Sequence, residues 1–262
     1  MIGWNVIRWA TALVYIFMFA PIVVVMLLAF NPAQFGSFPM QGFSLRWFIA
    51  LWENEAIVRA FQVSLLLGVL TSMIATTLGV LAALAIVRYD FPGKRLVSTA
   101  MVAPILIPEV VLAVALLLFM QFLNLPRSFL MLLMGHVIFT LPFVILVVQA
   151  RLVGIRREYE EAALSLGANP VQTFLQVTLP LLLPAILAGL LFSFTISFDD
   201  ITGTLFWKPG GIETVPTQLF AMLRHSISPD MNALGTTMVF VTVAFPLLGM
   251  ALARALARRL DA

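Results

Sequence analysis

The chain has 262 residues, of which 62% are hydrophobic and 10% charged, with a formal net charge of +3 and no Cys. A soluble domain holds about 45–50% apolar and about 25% charged residues, so this composition, with a mean hydropathy of +1.07, belongs in a lipid bilayer. Disulfides, thiolate metal sites and Cys nucleophiles are excluded, and the scattered basic residues form no nucleic-acid footprint.

A spanning helix needs about 20 apolar residues, and six stretches approach or exceed that length, over 9–30, 62–87, 96–123, 128–149, 181–198 and 236–256. The first has an apolar run of about 22 residues, longer than the roughly 7–15 of a signal peptide. No A-x-A site follows it, so it reads as a retained helix. A long loop, 31–61, comes next. Within it, residues 45–60 place Leu45, Phe48, Ile49, Leu51, Trp52, Ile57 and Val58 as the apolar face of one interfacial helix, with Trp47 and Trp52 at headgroup level. The fifth span is the shortest and is expected to begin earlier, within the polar segment before it. A second long loop, 199–235, precedes the last span. No polar stretch is long enough to bury a core of its own, and no internal repeat is evident. The chain reads as one all-α transmembrane domain over 1–262.

Lys and Arg counts set the orientation. With the N-terminus inside, ten fall in inner segments: Arg8, Arg88, Lys94, Arg95, Arg151, Arg156, Arg157, Arg254, Arg258 and Arg259. Five fall outside: Arg46, Arg59, Arg127, Lys208 and Arg224. Both termini and the 157–180 segment are therefore expected in the cytoplasm.

That segment carries local signals of its own. Residues 157–167 read as a short helix that Gly167 ends, because Gly takes positive φ without a Cβ penalty. Asn169 then serves as N-cap, Pro170 suits the first helical position, and Gln172 completes a capping box. The result is helix, sharp turn, helix, with Ala162 and Ala163 giving a small-residue face. Residues 161–180 read Glu-Ala-Ala, three residues, Gly, nine residues, then Val-Thr-Leu-Pro. This run resembles the cytoplasmic signature of the permease subunits of bacterial ABC importers. Glu161, Ala162, Ala163, Gly167, Leu179 and Pro180 fit it, and Val177 stands where that family more often has Ile. The resemblance implies a type I importer permease fold. It also makes 157–180 a coupling segment that docks on an ATPase subunit, with Glu161 pairing a basic residue there.

Other chemistry is missing. No G-x-x-x-x-G-K-[ST] occurs, and the only Lys residues are Lys94 and Lys208. The chain is expected to bind no cofactor and catalyse no reaction itself. Neither H-E-x-x-H nor G-x-S-x-G is present. Two His residues, His136 and His225, do not make a haem subunit.

Acids within apolar spans cost roughly 2.5–3.5 kcal/mol on insertion scales and usually mark a pathway. Glu109 follows Pro104 and Pro108. A straight third span places it roughly 20 Å above Leu96. Asp199 and Asp200 end the fifth span, roughly 27 Å above Leu181. These acids read as a lining for a cation. The alternatives are a Glu109 paired with Arg or His136, an Asp199–Asp200 pair that meets water at the helix C-terminus or caps the next turn, and a His136 that makes an interhelical hydrogen bond. Adjacent Asp199 and Asp200 point about 100° apart on a helix, so only one of them is expected to face a pathway directly.

Ser197-Phe198-Asp199-Asp200, Pro209-Gly210, Val215-Pro216 and 228–234 (Ser-Pro-Asp-Met-Asn-Ala-Leu) are similar to the C-terminal third of spermidine/putrescine importer permeases. Pro108-Glu109-Val110 and Leu45-Arg46-Trp47-Phe48 are similar too, and the second, shorter permease of that system is the better match. The resemblance implies that Trp47, Glu109, Asp199 and Asp200 serve polyamine passage. It also implies a bacterial inner-membrane complex containing a second permease, a dimer of ATPase subunits that bind ATP and Mg, and an extracytoplasmic binding protein. The same Glu-Ala-Ala run would serve a permease for ferric ion, an opine or an amino-acid derivative. An ion-coupled secondary transporter would show inverted repeats.

Overall fold

The structure, a computed structural model, describes residues 3–33, 39–225 and 228–260, with the side chains of residues 225 and 252–260 outside that description. The side chains of Arg254, Arg258 and Arg259, part of the predicted inner charge, therefore lie outside the described ones. Among the described residues, twelve α-helices run in chain order: α1 (Trp4–Leu28), α2 (Arg46–Glu53), α3 (Glu55–Arg88), α4 (Lys94–Leu106), α5 (Glu109–Phe122), α6 (Phe129–Val153), α7 (Glu158–Ser165), α8 (Pro170–Thr173), α9 (Leu179–Asp199), α10 (Thr202–Trp207), α11 (Val215–His225) and α12 (Asp230–Leu260). A π turn, Phe174–Thr178, joins α8 to α9. Among the described residues, five helical spans are long and apolar enough to cross a membrane, and a sixth is counted if the bent α4–α5 pair is one.

The core is built where α3, α6 and α9 pack together. Lipid tails are as apolar as Leu, so close fit rather than water expulsion holds such helices. Gly79 of α3 meets this need: a Cβ there would lie 2.6 Å from Val144 of α6. Leu67, Ala75, Leu132, Val144, Val148 and Leu182 fill the seam. A second cluster joins α2, α3, α9 and α12 through Leu51, Ile57, Phe194, Phe198, Leu234 and Met238. α1 packs on α12 and otherwise turns its apolar side chains outward.

Three expectations are corrected. The third span is not straight: α4 and α5 meet at 115°. Pro108 has no N–H and disfavours helix in the residue before it, and Ile107 is accordingly extended, with φ −89° and ψ 130°. Glu109 therefore stands in the first turn of α5, and its height above Leu96 does not follow from a helical rise. The interfacial helix does not run over 45–60. It ends at Glu53, and Asn54 starts α3 by accepting the amides of Ala56 and Ile57. The second span thus begins at Glu55, seven residues before the expected start at 62. The fifth span does begin earlier, as expected, at Pro170.

Candidate functional site

Two groups of the expected site residues are found, one between the spans α6 and α9 in sequence and one among the spans. The first is the 157–180 segment. α7 places Glu158, Glu160 and Glu161 in its first turn, where carboxylates complement the helix dipole. Gly167 has φ +92°. Its amide donates to Leu164 O, and that of Ala168 to Ala163 O at 3.1 Å, the paired C-terminal bonds of a Schellman turn. The Asn169–Gln172 capping box is present with both bonds at 2.9 Å. Helix, turn and helix are thus built as the local signals require. Glu161 and Ala162 are exposed, and Ala163 is half-buried. Glu161 pairs with Arg157 at 3.5 Å. Leu166, at 90% exposed, and Leu164 add an apolar tip to the turn.

The second group sits where α5, α6, α9 and α10 meet. The His136 and Asp200 side chains are 1% and 2% exposed. His136 Nδ1 lies 2.8 Å from Ser197 Oγ and its Nε2 lies 3.0 Å from Thr204 Oγ1. Asp200 Oδ2 accepts the Thr204 amide at 2.7 Å and the Thr204 hydroxyl at 2.9 Å, while Oδ1 accepts the Gly203 amide at 3.2 Å. Asp200 therefore caps the start of α10, and His136 Nε2 lies 3.4 Å from its Oδ2. Glu109 faces the Asp200 carboxyl, the Thr202 hydroxyl and the Gly203 amide. The Pro108 elbow thus brings Glu109 to the α9–α10 corner. Asp199, one residue from Asp200, is exposed. Asp200 is itself extended, with φ −70° and ψ 124°, so the helical angle between the two aspartates does not apply.

Trp47 packs against the cluster that holds Phe194 and Phe198. α2 packs on α3 and α12. The Trp47 indole N–H donates to Asn31 O at 2.8 Å, and the Arg46 guanidinium lies 4.8 Å from its ring centre. Lys208, near the acids in sequence, pairs with Glu213.

Sequence reasoning missed Trp207 as a structural centre. It is 2% exposed, donates its indole N–H to Ala113 O at 3.0 Å, and meets the His136 ring edge-on. Gly135 and Gly203 were the signals: a Cβ on either would lie 2.4 Å from the Trp207 ring. Gly135→Ala is expected to cost about 1–3 kcal/mol, as overpacking does, because the indole is pinned and cannot retreat. Thermal unfolding of the detergent-purified chain checks this. An unchanged midpoint would show that the indole yields.

Residues 75–262 match the family described as the binding-protein-dependent transport system inner membrane component. The chain is 34% identical over 241 residues to the spermidine/putrescine transport system permease protein PotC of Escherichia coli K12, covering 92% of this chain and 91% of that one. It is 32% identical over 229 residues to the putrescine transport system permease protein PotI of the same organism, covering 85% and 81%. A crystal structure of a bacterial ABC transporter for the acidic polysaccharide alginate superimposes with a TM-score of 0.74 at 18% identity, over 96% of each chain. The all-helical fold is therefore that of importer permeases, and the chain belongs to the family of binding-protein-dependent transport system inner membrane components.

Proposed function

We propose that this chain is the permease subunit of an ATP-driven importer that takes up putrescine, spermidine or a closely related cationic amine. One observation carries the substrate class: similarity over nine-tenths of the chain to a permease named for spermidine and putrescine. The site chemistry agrees with it. Ammonium groups favour carboxylates and aromatic faces; Glu109 meets the Asp200 carboxyl and the exposed Asp199 adjoins it in the chain, so the acids belong to one helical corner that could serve one route. Trp47 would meet the amine at a separate, outer position.

The complex is read as this permease, a second permease, two ATPase subunits holding ATP and Mg, and an extracytoplasmic binding protein. The chain forms one transmembrane domain with both termini in the cytoplasm, and 157–180 is its docking segment. ATP binding closes the ATPase pair, the docked segments move together, and the route opens outward. Hydrolysis returns it inward. This coupling is a shift of population between two states.

The test is ATP hydrolysis by the reconstituted complex with its binding protein, across putrescine, spermidine, ferric ion, betaine and a sugar. Stimulation by the polyamines alone is expected. Stimulation by another solute instead would leave the importer and overturn the substrate.

A further inference from the structure

The α7 end of the 157–180 segment has to move with the spans if it is to transmit anything, yet side-chain packing does not fill the space between α3 and it. A cleft of about 620 Å³ separates it from α3, lined by Leu84, Tyr89, Leu164, Val171 and Phe174 among others. Packing across this open cleft is incomplete, so α7 needs another tether to α3.

That tether is polar and lies just before the Glu-Ala-Ala run. Arg88 closes α3, and its Nε lies 3.1 Å and 3.0 Å from the two carboxylate oxygens of Glu160 in α7. The same guanidinium donates from its terminal nitrogen to Ile155 O, in the linker between α6 and α7, at 3.0 Å. Glu160 also accepts the Thr178 hydroxyl at 2.9 Å, and Thr178 ends the π turn that enters α9. The Arg88 and Glu160 side chains are 13% and 16% exposed, so water screens them far less than an open surface pair. One ion pair thus joins α3, the α6–α7 linker, α7 and the start of α9. A guanidinium can serve two elements at once with its fixed fork, which a Lys ammonium cannot do in the same geometry. A second tether lies close by, from Arg151 Nε at the end of α6 to Leu181 O at 3.1 Å.

We infer that Arg88, Glu160 and Thr178 are positioning residues that lock the docking helix to the spans, so that a push on α7 moves α3 and α9 as one body. Glu161 faces outward to the partner while Glu160, its neighbour, faces inward to the spans. The π turn supports the same reading. It ends two residues before Pro180, which has no N–H to offer the preceding turn. Left untied, that weak point would absorb a push rather than pass it on; the Thr178 bond ties its end to α7.

The inference rests on the docking reading of 157–180, and the experiment separates the two. The chain has no Cys, so spin labels can be placed by Leu78→Cys on α3 and Tyr159→Cys on α7, both exposed. The distance between them is measured in the assembled complex, nucleotide-free and trapped with ATP and vanadate. The native pair is expected to give one narrow distance in both states. Glu160→Gln or Arg88→Ala should broaden it by several ångströms while the ATPase still co-purifies at native yield. Arg88→Glu with Glu160→Arg should narrow it again. An equally narrow distance in Glu160→Gln overturns the clamp. If Glu160→Gln blocks assembly, Thr178→Val and Arg88→Lys decide by the same readout, because each removes fewer contacts. A native complex that purifies without any ATPase overturns the docking reading, and the clamp as a transmission device with it.

Discussion

Asp200→Ala should destabilise the detergent-purified chain by about 3 kcal/mol or more, the usual consequence of leaving several buried donors without an acceptor. Three donors turn on this one carboxyl group: the amides of Gly203 and Thr204 and the Thr204 hydroxyl. The hydroxyl keeps a second acceptor, Asp200 O at 3.2 Å, so most of the loss falls on the amides. Magnitudes decide which partner matters. Interhelical side-chain hydrogen bonds within membranes are worth about 0.6 kcal/mol on average, so the bonds of His136 to Ser197 and Thr204 are the lesser part. An orphaned backbone amide costs about 1–3 kcal/mol. Thermal unfolding of the purified chain, followed by tryptophan fluorescence because Trp207 sits at the same corner, measures the effect. A midpoint unmoved by Asp200→Ala would mean that α10 does not depend on this cap.

The same geometry changes how the acids can be probed. Asp200→Asn is not a conservative test of cation passage. Whichever way the amide is turned, its NH₂ meets either the Gly203 or the Thr204 amide, a donor against a donor. Asp199 is exposed and free of that role, so Asp199→Asn separates charge from folding where the paired substitution would mix them.

How far the sequence could be read depended on the range of the interactions. The turn at Gly167 and the capping box at Asn169–Gln172 are local, set by φ and by bonds within three residues, and both are found where their signals stand. Spans are legible for a related reason, since the bilayer demands length and apolarity in one continuous run. The breaks were less legible. Pro108 carries a rule against helix in the residue before it, but apolar composition continues across it, and composition gave the straight span. Asn54 is a good N-cap, yet the apolar residues on both sides of it kept one helical phase. Contacts between distant residues were not legible at all. Nothing near Arg88 in the chain announces Glu160, 72 positions away, and Trp207 shows its place through Gly135 on a different helix. His136 as an interhelical partner and Asp200 as a cap were both among the readings open beforehand, and the α9–α10 corner realises them together.

Glu161→Lys should reduce solute uptake by the reconstituted complex at least about tenfold, within the range of typical coupling energies, while leaving the chain folded. The two effects separate because of where the side chain stands. Glu161 and Arg157 are both well exposed, 62% and 67%, and an exposed pair contributes about 0–1 kcal/mol. A Lys in the first turn of α7 opposes the helix dipole by roughly 0.3–1 kcal/mol and stands against Arg157, too little to unfold a helix tied at Glu160. The proposed docking face, however, changes sign. A partner surface shaped to receive a carboxylate would meet two adjacent cations, and a juxtaposition of like charges costs several kcal/mol at an interface. Reduced recovery of the ATPase with the permease, unchanged capture of solute by the binding protein and an unmoved unfolding midpoint are the expected set. Glu161→Gln, which removes charge and keeps shape, should fall between the native chain and Glu161→Lys. Uptake at the native rate by Glu161→Lys would show that the partner does not read this carboxylate. The docking contribution would then rest on the apolar tip at Leu164 and Leu166.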